Sequence, residues 1–220
     1  MKRRDFLKVL ASFVAGSLAK PGDALANIFG SHSEAERVSD APIINPSMRV
    51  GIVSLGSVGR KMVSAHLPHL SYLSRSVSID SESGGHGLFD KHIVIRDGIH
   101  PPKNLDEAIR LGVKAGPLIE EAVAGLDVLF IVAGMGGIIG SGIAHLVARI
   151  AKEQNVSAVL GIPYLPFGFE GDKQHLNART GIEALNRHAD VVFPISHQML
   201  GARFTPVERE RVSVSATLFL

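Results

Sequence analysis

Apolar residues after Met48 follow two patterns that alternate along the chain. Short runs rich in valine and isoleucine have the length of strands that are buried on both faces of a sheet. Segments with apolar residues three and four positions apart predict helices. The predicted strands are residues 49–55, 77–80, 92–95, 126–133, 156–162 and 190–195, and the predicted helices are residues 58–67, 104–113, 118–124, 143–152 and 173–187.

This alternation predicts an α/β fold with a three-layer, doubly wound, mostly parallel sheet of the Rossmann-like type and right-handed crossovers. The 220 residues provide room for one such domain. Asn104 lies three residues before Glu107, the spacing of a capping box at the start of a helix. Ligands of such sheets bind beyond the carboxyl ends of the strands, so the loops at those ends are the places to look for a site.

The N-terminus has the pattern of an export signal. Residues 2–8 read KRRDFLK, an apolar run extends to Ala19, and ALA at residues 24–26 fits a cleavage site. The paired arginines resemble a twin-arginine signal. We therefore expect a signal peptide at 1–26, a disordered linker at 27–47 and the folded domain at 48–220. Export would take the protein to the periplasm or cell envelope; without it the protein stays cytoplasmic.

The charge and the residue composition of the chain limit the classes of partner that we expect it to bind. Residues 1–26 hold five of the 23 basic residues and two of the 21 acidic residues, so 18 and 19 remain and the rest of the chain has a net charge of −1. Such a balance does not indicate a nucleic-acid partner, and contact with a membrane is expected only through the signal segment. The absence of cysteine excludes disulfides and thiolate metal sites. His66 and His69 flank Pro68, which spoils a shared helical face, and no metal site is predicted.

Two glycine-rich segments follow predicted strands. Residues 54–60 read SLGSVGR, and residues 133–142 read AGMGGIIGSG, with five glycines in nine positions. Glycines allow the backbone to approach a ligand closely, and the helix that comes next offers free N–H groups to an anion. The first segment would serve equally as a tight strand–helix turn without a ligand, since it lacks the first glycine of the dinucleotide fingerprint. The second fits a concave nest of N–H groups, with Ser141 as a hydroxyl contact or helix cap.

The second segment and the residues after it are similar to the tubulin/FtsZ family. The likeness covers FIVAGMGG (130–137), AKE (151–153), PFGFEG (166–171), GIEAL (181–185) and residues 190–200, with little or no gapping. The resemblance implies a guanine-nucleotide-binding domain that takes GTP or GDP, accompanied by Mg²⁺. It implies that Glu170 accepts hydrogen bonds from the ribose hydroxyls. The phosphate-binding candidates are Gly56, Ser57, Val58, Gly59, Arg60, Gly134, Met135, Gly136, Gly137, Ile139, Gly140, Ser141 and Gly142.

The chain departs from the family pattern at several of these positions. Ile138 and Ile139 stand where the family has glycine and threonine, and Arg60 where it has asparagine. Gln174 replaces a basic residue, and Ser196 replaces the asparagine that contacts guanine. We expect no counterpart of the family's loop that activates water in the neighbouring subunit. We therefore expect weak or no GTP hydrolysis and assign no catalytic residue.

Three functions stay open at this point. The first is a GTP- or GDP-binding protein with a role in cell division or filaments, which associates with itself or with FtsZ-like proteins. The second is a non-enzymatic interaction protein whose nucleotide site has decayed. The third is an exported Rossmann-type oxidoreductase that carries NAD(P), for which Asp80 lies about 20 residues beyond the first glycine segment, where such enzymes hold a ribose.

Overall fold

The structure is a computed structural model that describes residues 48–84 and 87–196. The predicted signal, the predicted linker and residues 197–220 lie outside the described residues. The strands are β1 (Val50–Leu55), β2 (Arg75–Asp80), β3 (Lys91–Val94), β4 (Val128–Gly134), β5 (Ala158–Leu165), β6 (Val191–Val192) and β7 (Ile195–Ser196). The helices are α1 (Gly56–Ser64), α2 (Leu105–Lys114), α3 (Gly116–Val123), α4 (Ile138–Glu153) and α5 (Asp172–Leu185), with a 3₁₀ turn at Leu67–His69.

The strands form one parallel sheet in the order β3-β2-β1-β4-β5-β6, and β7 pairs with the end of β5. The α/β prediction is therefore confirmed. The chain moves outward from β1 in one direction and then crosses to β4, so the strand order reverses between β1 and β4. Ligands of doubly wound sheets bind at this kind of reversal.

Apolar side chains cover both faces of the central strands, which is why their sequences do not alternate with polar residues. Val53 and Leu129 belong to the core beneath α2, α3, α4 and α5, whereas Ile52 and Phe130 belong to the core on the opposite face with Val63 of α1. Full burial of each large side chain contributes about 1.5–3 kcal/mol. In the part of the chain that the structure describes, no helix is both long and apolar enough to cross a bilayer.

The start of α4 differs from the sequence prediction. The helix begins at Ile138, five residues before the predicted start at 143, so Gly140 and Gly142 lie inside its first turns. A Cβ atom at Gly140 would collide with the carbonyl oxygen of Gly134, and one at Gly142 would lie 3.0 Å from Cβ of Ala108. These two glycines permit close packing, and only the remaining part of the glycine-rich segment forms the loop.

The ends of other elements also depart from the predictions. The strand predicted at 190–195 is two short strands separated by Phe193 and Pro194, because proline has no N–H to donate to a neighbouring strand. Asn104 caps α2 as predicted, since Glu107 N–H donates to its Oδ1 over 2.9 Å. The return bond differs from that of a capping box, because Oε2 of Glu107 accepts from the N–H of Lys103, one residue before the cap, over 2.9 Å. This fixes the start of the helix that packs on α4.

Candidate functional site

A cavity of about 560 Å³ opens at the carboxyl ends of β1, β2, β4 and β5. Its volume lies within the range typical of small-molecule sites. The lining comes from the turn after β1, the end of β2, the loop between β4 and α4, and the loop between β5 and α5. The lining residues are Gly56, Ser57, Val58, Asp80, Ser81, Glu82, Pro102, Gly134, Met135, Gly136, Gly137, Ile138, Ile139, Gly140, Tyr164, Leu165, Pro166, Phe167, Glu170, Lys173, Gln174 and Asn177.

The two glycine-rich segments converge in this cavity. Gly56 has φ of 70°, which a side chain disfavours, and a Cβ atom there would lie 3.6 Å from the backbone N of Gly140. Ile139 is 6% exposed and packs in the core under the sheet. A Cβ atom at Gly56 would lie 3.8 Å from its Cβ, so Ile139 contributes to the cavity lining where the two turns meet.

Three helices begin at the cavity. Leu55, Gly137 and Gly171 are the N-cap residues of α1, α4 and α5, and none of these three described helices has a side-chain hydrogen bond at its cap. The first N–H groups of a helix have no partner within the helix, and the helix dipole places partial positive charge at this end. The geometry creates an environment that favours an anion.

The loop between β4 and α4 is held by bonds to three other elements. Met135 N–H donates to the carbonyl of Tyr164 over 2.8 Å, which continues the pairing of β4 with β5. Gly136, at φ of 100°, donates its N–H to Oγ of Ser141 over 3.0 Å and accepts from Nδ2 of Asn177 over 3.1 Å. Gly137 remains exposed at the cavity. The loop is therefore preorganised.

Ser141 has a different role in this structure from the one its sequence position suggested. Its side chain is 2% exposed and does not line the cavity. The hydroxyl accepts the Gly136 N–H and so supports the loop from behind. A direct contact of this hydroxyl with a ligand stays a prediction.

Glu170 lies at the edge of the cavity near β5. Its Oε1 accepts from the N–H of Phe167 over 2.8 Å, and its own N–H donates to the carbonyl of Phe167 over 2.9 Å. The ring of Phe167 stacks on that of Phe169 with 5.1 Å between centroids. A carboxylate has about four acceptor positions, so the bond to Phe167 leaves capacity for hydroxyl donors of a ligand.

Arg60 turns toward the end of β2 rather than into the cavity. Its Nε lies 3.3 Å from Oδ2 of Asp80, and its NH2 nitrogen lies 3.5 Å from Oε2 of Glu82. The side chains of Arg60 and Asp80 are only 13% and 5% exposed. Asp80 also accepts from Ser81 N–H over 2.8 Å. The contact of Arg60 with a phosphate stays a prediction. In this structure the positive charge of Arg60 offsets the negative charge of the buried Asp80 carboxylate.

Ten of the fourteen candidate residues line the cavity, and four do not: Gly59, Arg60, Ser141 and Gly142. Gly59 instead permits α1 to approach β4, since a Cβ atom there would lie 2.5 Å from the carbonyl oxygen of Val132. Ser196, at the predicted base-contact position, lies on β7 outside the lining.

Several lining residues were missed by sequence reasoning. Glu82 is one of them, and its position beyond the end of β2 was the available signal, whereas Asp80, the last residue of β2, was considered only as the ribose-binding acid of an NAD(P) enzyme. Lys173 and Asn177 lie one helical turn apart on α5. Pro102 offered no signal, because only the packing of the segment before α2 brings it to the cavity. No group of three or more residues suited to a metal occurs within the described ranges.

Comparison with known proteins identifies the fold. Residues 113–202 match the family model described as Tubulin/FtsZ family, GTPase domain. The structure is similar to an empty FtsZ dimer from M. jannaschii, with a TM-score of 0.65, 23% identity, and coverage of 78% of this chain and 52% of that chain. It is also similar to CetZ1 from Haloferax volcanii, a GDP-bound monomer (TM-score 0.60, 22% identity, coverage 78% and 60%).

A third similar structure is CetZ2 from Haloferax volcanii, a GTPγS-bound protofilament, with a TM-score of 0.61, 18% identity and coverage of 78% and 58%. The chain thus spans a little over half the length of each of these solved chains. The resemblance noted between residues 130 and 200 is confirmed as a likeness of fold and as a match over residues 113–202.

Proposed function

We propose that the cavity binds a guanine nucleotide, GTP or GDP, and that the chain is a divergent member of the tubulin/FtsZ family. One observation carries the proposal: the turns after β1 and β4 meet at the N-termini of α1 and α4, with Gly56 beside the backbone N of Gly140. Two helix starts directed at one point suit a chain of phosphates. The match of residues 113–202 to the GTPase domain model and the GDP and GTPγS bound to similar structures support the choice of guanine nucleotide.

The arrangement of the lining suggests an orientation for the ligand. The ribose would lie at Glu170, whose carboxylate accepts hydroxyl donors, and Phe167 would contribute apolar surface beside it. The phosphates would lie over the loop between β4 and α4 and reach the turn that begins at Gly56. Lys173, in the first turn of α5, would add a full positive charge, and Mg²⁺ would accompany the phosphates.

We propose slow or no hydrolysis. Phosphoryl transfer to water needs a group that orients the water and cations that neutralise the transferred phosphate. Ile138 and Ile139 supply neither at the start of α4. Asp80 is held by Arg60, and Glu170 by the backbone of Phe167. Binding without efficient turnover is the result that these contacts support.

Titration calorimetry on the full chain with GTP, GDP, ATP and NAD tests the binding proposal. We expect heat with GTP or GDP, and less with ATP. A thermal-shift series with the same nucleotides provides an independent measurement. No heat and no shift with any of them would refute nucleotide binding and favour an interaction protein with a decayed site, a function that the apolar Ile138 and Ile139 would suit.

Self-association, either with further copies or with FtsZ-like proteins, belongs to the same proposal, together with a role in filaments or cell division. The similar structures include an FtsZ dimer and a CetZ2 protofilament. Light scattering and sedimentation with and without nucleotide test it. We expect larger particles with GTP than with GDP, and an unchanged monomer under both conditions would contradict it.

Export through the twin-arginine pathway is also proposed, on the motif at residues 2–8. A fluorescently tagged full chain should appear in the cell envelope or periplasm, and the double variant Arg3→Lys, Arg4→Lys should stay in the cytoplasm. The same cytoplasmic location for both proteins would refute export.

A further inference from the structure

We propose that the end of the cavity beside β2 takes the hydroxyls of a sugar that is joined to the bound nucleotide through its diphosphate. The preferred ligand would then be a nucleoside diphosphate–sugar or a dinucleotide rather than a free nucleoside triphosphate. This inference rests on the proposed function for the placement of one ribose at Glu170 and of the diphosphate over the two turns.

The cavity has a carboxylate at each end. Glu170 lies after β5, and Asp80 ends β2 with Glu82 two residues beyond it. The strands between them, β1 and β4, lead into the turns at which α1 and α4 begin, and these turns present the free first N–H groups of the two helices. Carboxylates that can accept hydrogen bonds from hydroxyl groups therefore flank an anion-binding centre on both sides.

Charge decides which group fits the end beside β2. Arg60, Asp80 and Glu82 together carry one net negative charge. Among the described residues that line the cavity, Lys173 is the only basic one, and it lies on α5 at the opposite end. A terminal phosphate that extended toward β2 would approach two carboxylates and would need the accompanying Mg²⁺ to lie between them. A sugar diol is neutral and offers two O–H donors, which a carboxylate accepts.

Burial strengthens the argument for Asp80. Its side chain is 5% exposed, its Oδ1 accepts from Ser81 N–H, and its Oδ2 lies 3.3 Å from Nε of Arg60. These contacts hold the carboxylate in place without using all of its acceptor positions. An acid at the end of the second strand is also where dinucleotide-binding sheets hold a ribose.

The dimensions agree with such a ligand. Neighbouring strands lie about 4.8 Å apart, so the ends of β2 and β5 are about 14 Å apart. An extended chain advances about 1.2 Å per bond, since a residue of three backbone bonds spans up to about 3.6 Å. The roughly seven bonds that join two sugar rings through a diphosphate thus cover about 8 Å, and the hydroxyls on the outer sides of both rings extend that reach.

A ligand series on the unaltered full chain tests the inference. Calorimetry compares GDP, GTP, GDP-mannose, NAD and the β-methyl ester of GDP. The methyl ester has the charge of GDP-mannose without the sugar hydroxyls, so it separates hydroxyl contacts from charge. We expect GDP-mannose to bind about tenfold more tightly than both GTP and the methyl ester, as hydrogen bonds to a charged acceptor would give.

The outcomes separate the two proposals. Tighter binding of GDP-mannose assigns the second sugar to a nucleotide sugar. Tighter binding of NAD assigns it to a dinucleotide and contradicts the choice of guanine in the proposed function. Equal affinities for GDP-mannose and the methyl ester, or tighter binding of GTP than of both sugar ligands, would overturn the inference and leave nucleotide binding intact. No binding by any of the five would refute the proposed function itself.

The variant Asp80→Asn locates the contact. We expect it to lower the affinity for the preferred sugar ligand to that for the methyl ester, while Glu153→Gln, a carboxylate far along α4, leaves both affinities unchanged. Thermal unfolding without ligand reports whether Asp80→Asn folds, and if it does not, the ligand series above decides the matter. A folded Asp80→Asn protein that keeps the tenfold preference would overturn the inference.

Discussion

The two sides of the cavity are built by different means. On the side of β4 and β5, backbone groups of the loop are bonded to Ser141, Asn177 and Tyr164. On the side of β1 and β2, the main contact is the ion pair of Arg60 with Asp80. The first side lies wholly within the segment that matches the GTPase domain model, and the second lies outside it. Only one side of the cavity therefore carries the likeness to the family model, and the proposed difference in ligand depends on the charged residues of the other side.

The largest effect should come from the close contact behind the β4–α4 loop. In Gly140→Ala the added methyl group would collide with the carbonyl oxygen of Gly134. Relief of this collision requires a shift of the backbone, which costs more free energy than a change of side-chain rotamer. We expect a loss of about 3 kcal/mol in the free energy of unfolding, measured by urea denaturation, with loss of nucleotide binding. Gly84→Ala, where nothing lies within 4 Å of the added atom, is the control, and equal stability of the two variants would show that the loop is not tightly packed.

The ion pair on the opposite side comes next. Arg60→Gln would leave the buried carboxylate of Asp80 without its charged partner. We expect a loss of about 2 kcal/mol in the free energy of unfolding, below the cost of breaking a fully buried pair because Ser81 N–H still bonds to Asp80. Arg179→Gln is the matched control, since the Arg179–Glu183 pair is largely exposed and should contribute under about 0.5 kcal/mol. Indistinguishable chemical denaturation curves for the two variants would refute a structural role for Arg60.

A smaller change tests how the loop is supported. Ser141→Ala keeps the Cβ atom but leaves the Gly136 N–H without its acceptor. We expect a loss of about 1–2 kcal/mol in stability and a weaker affinity for the nucleotide, both measured on one preparation. Ser157→Ala, at an exposed position, should change neither. If Ser141→Ala weakens nucleotide binding without any loss of stability, the hydroxyl contacts the ligand directly.

The smallest effect concerns pH. Burial lowers the pKa of His145 on α4, and the positive charges of His188, Arg149 and Arg187 lower it further. The ring of His188 lies 6.4 Å from that of His145. Because the unfolded chain binds this proton more readily than the folded one, stability should fall as the pH falls below about 6.5.

The slope from this single group should not exceed about 1.4 kcal/mol per pH unit. Urea denaturation between pH 5 and pH 8 measures it, and His145→Gln should flatten the curve, whereas His69→Gln, at an exposed position, should not. An identical pH dependence in the unaltered protein and in His145→Gln would rule out this role for His145.

Sequence reasoning predicted the site unevenly. The glycine segments and Glu170 were found because glycine density and the PFGFEG motif are local features of the chain. Reasoning from glycine density alone did not predict that Gly140 and Gly142 lie within α4 and permit close packing, although Gly140 also lines the cavity. A glycine-rich segment can form either a loop or a helix that packs closely on its neighbours, and only the tertiary contacts distinguish the two.

The order of elements and the parallel sheet follow from the sequence, because the spacing of apolar residues determines which segments bury one face and which bury two. The tertiary structure alone decided the partner of Arg60, which lies 20 residues away at Asp80, and the support of Gly136 by Asn177, 41 residues away. Local patterns specify helices and strands, but such contacts exist only after packing brings distant side chains within bonding distance. For that reason the character of the cavity, with carboxylates at both ends, became visible only in three dimensions.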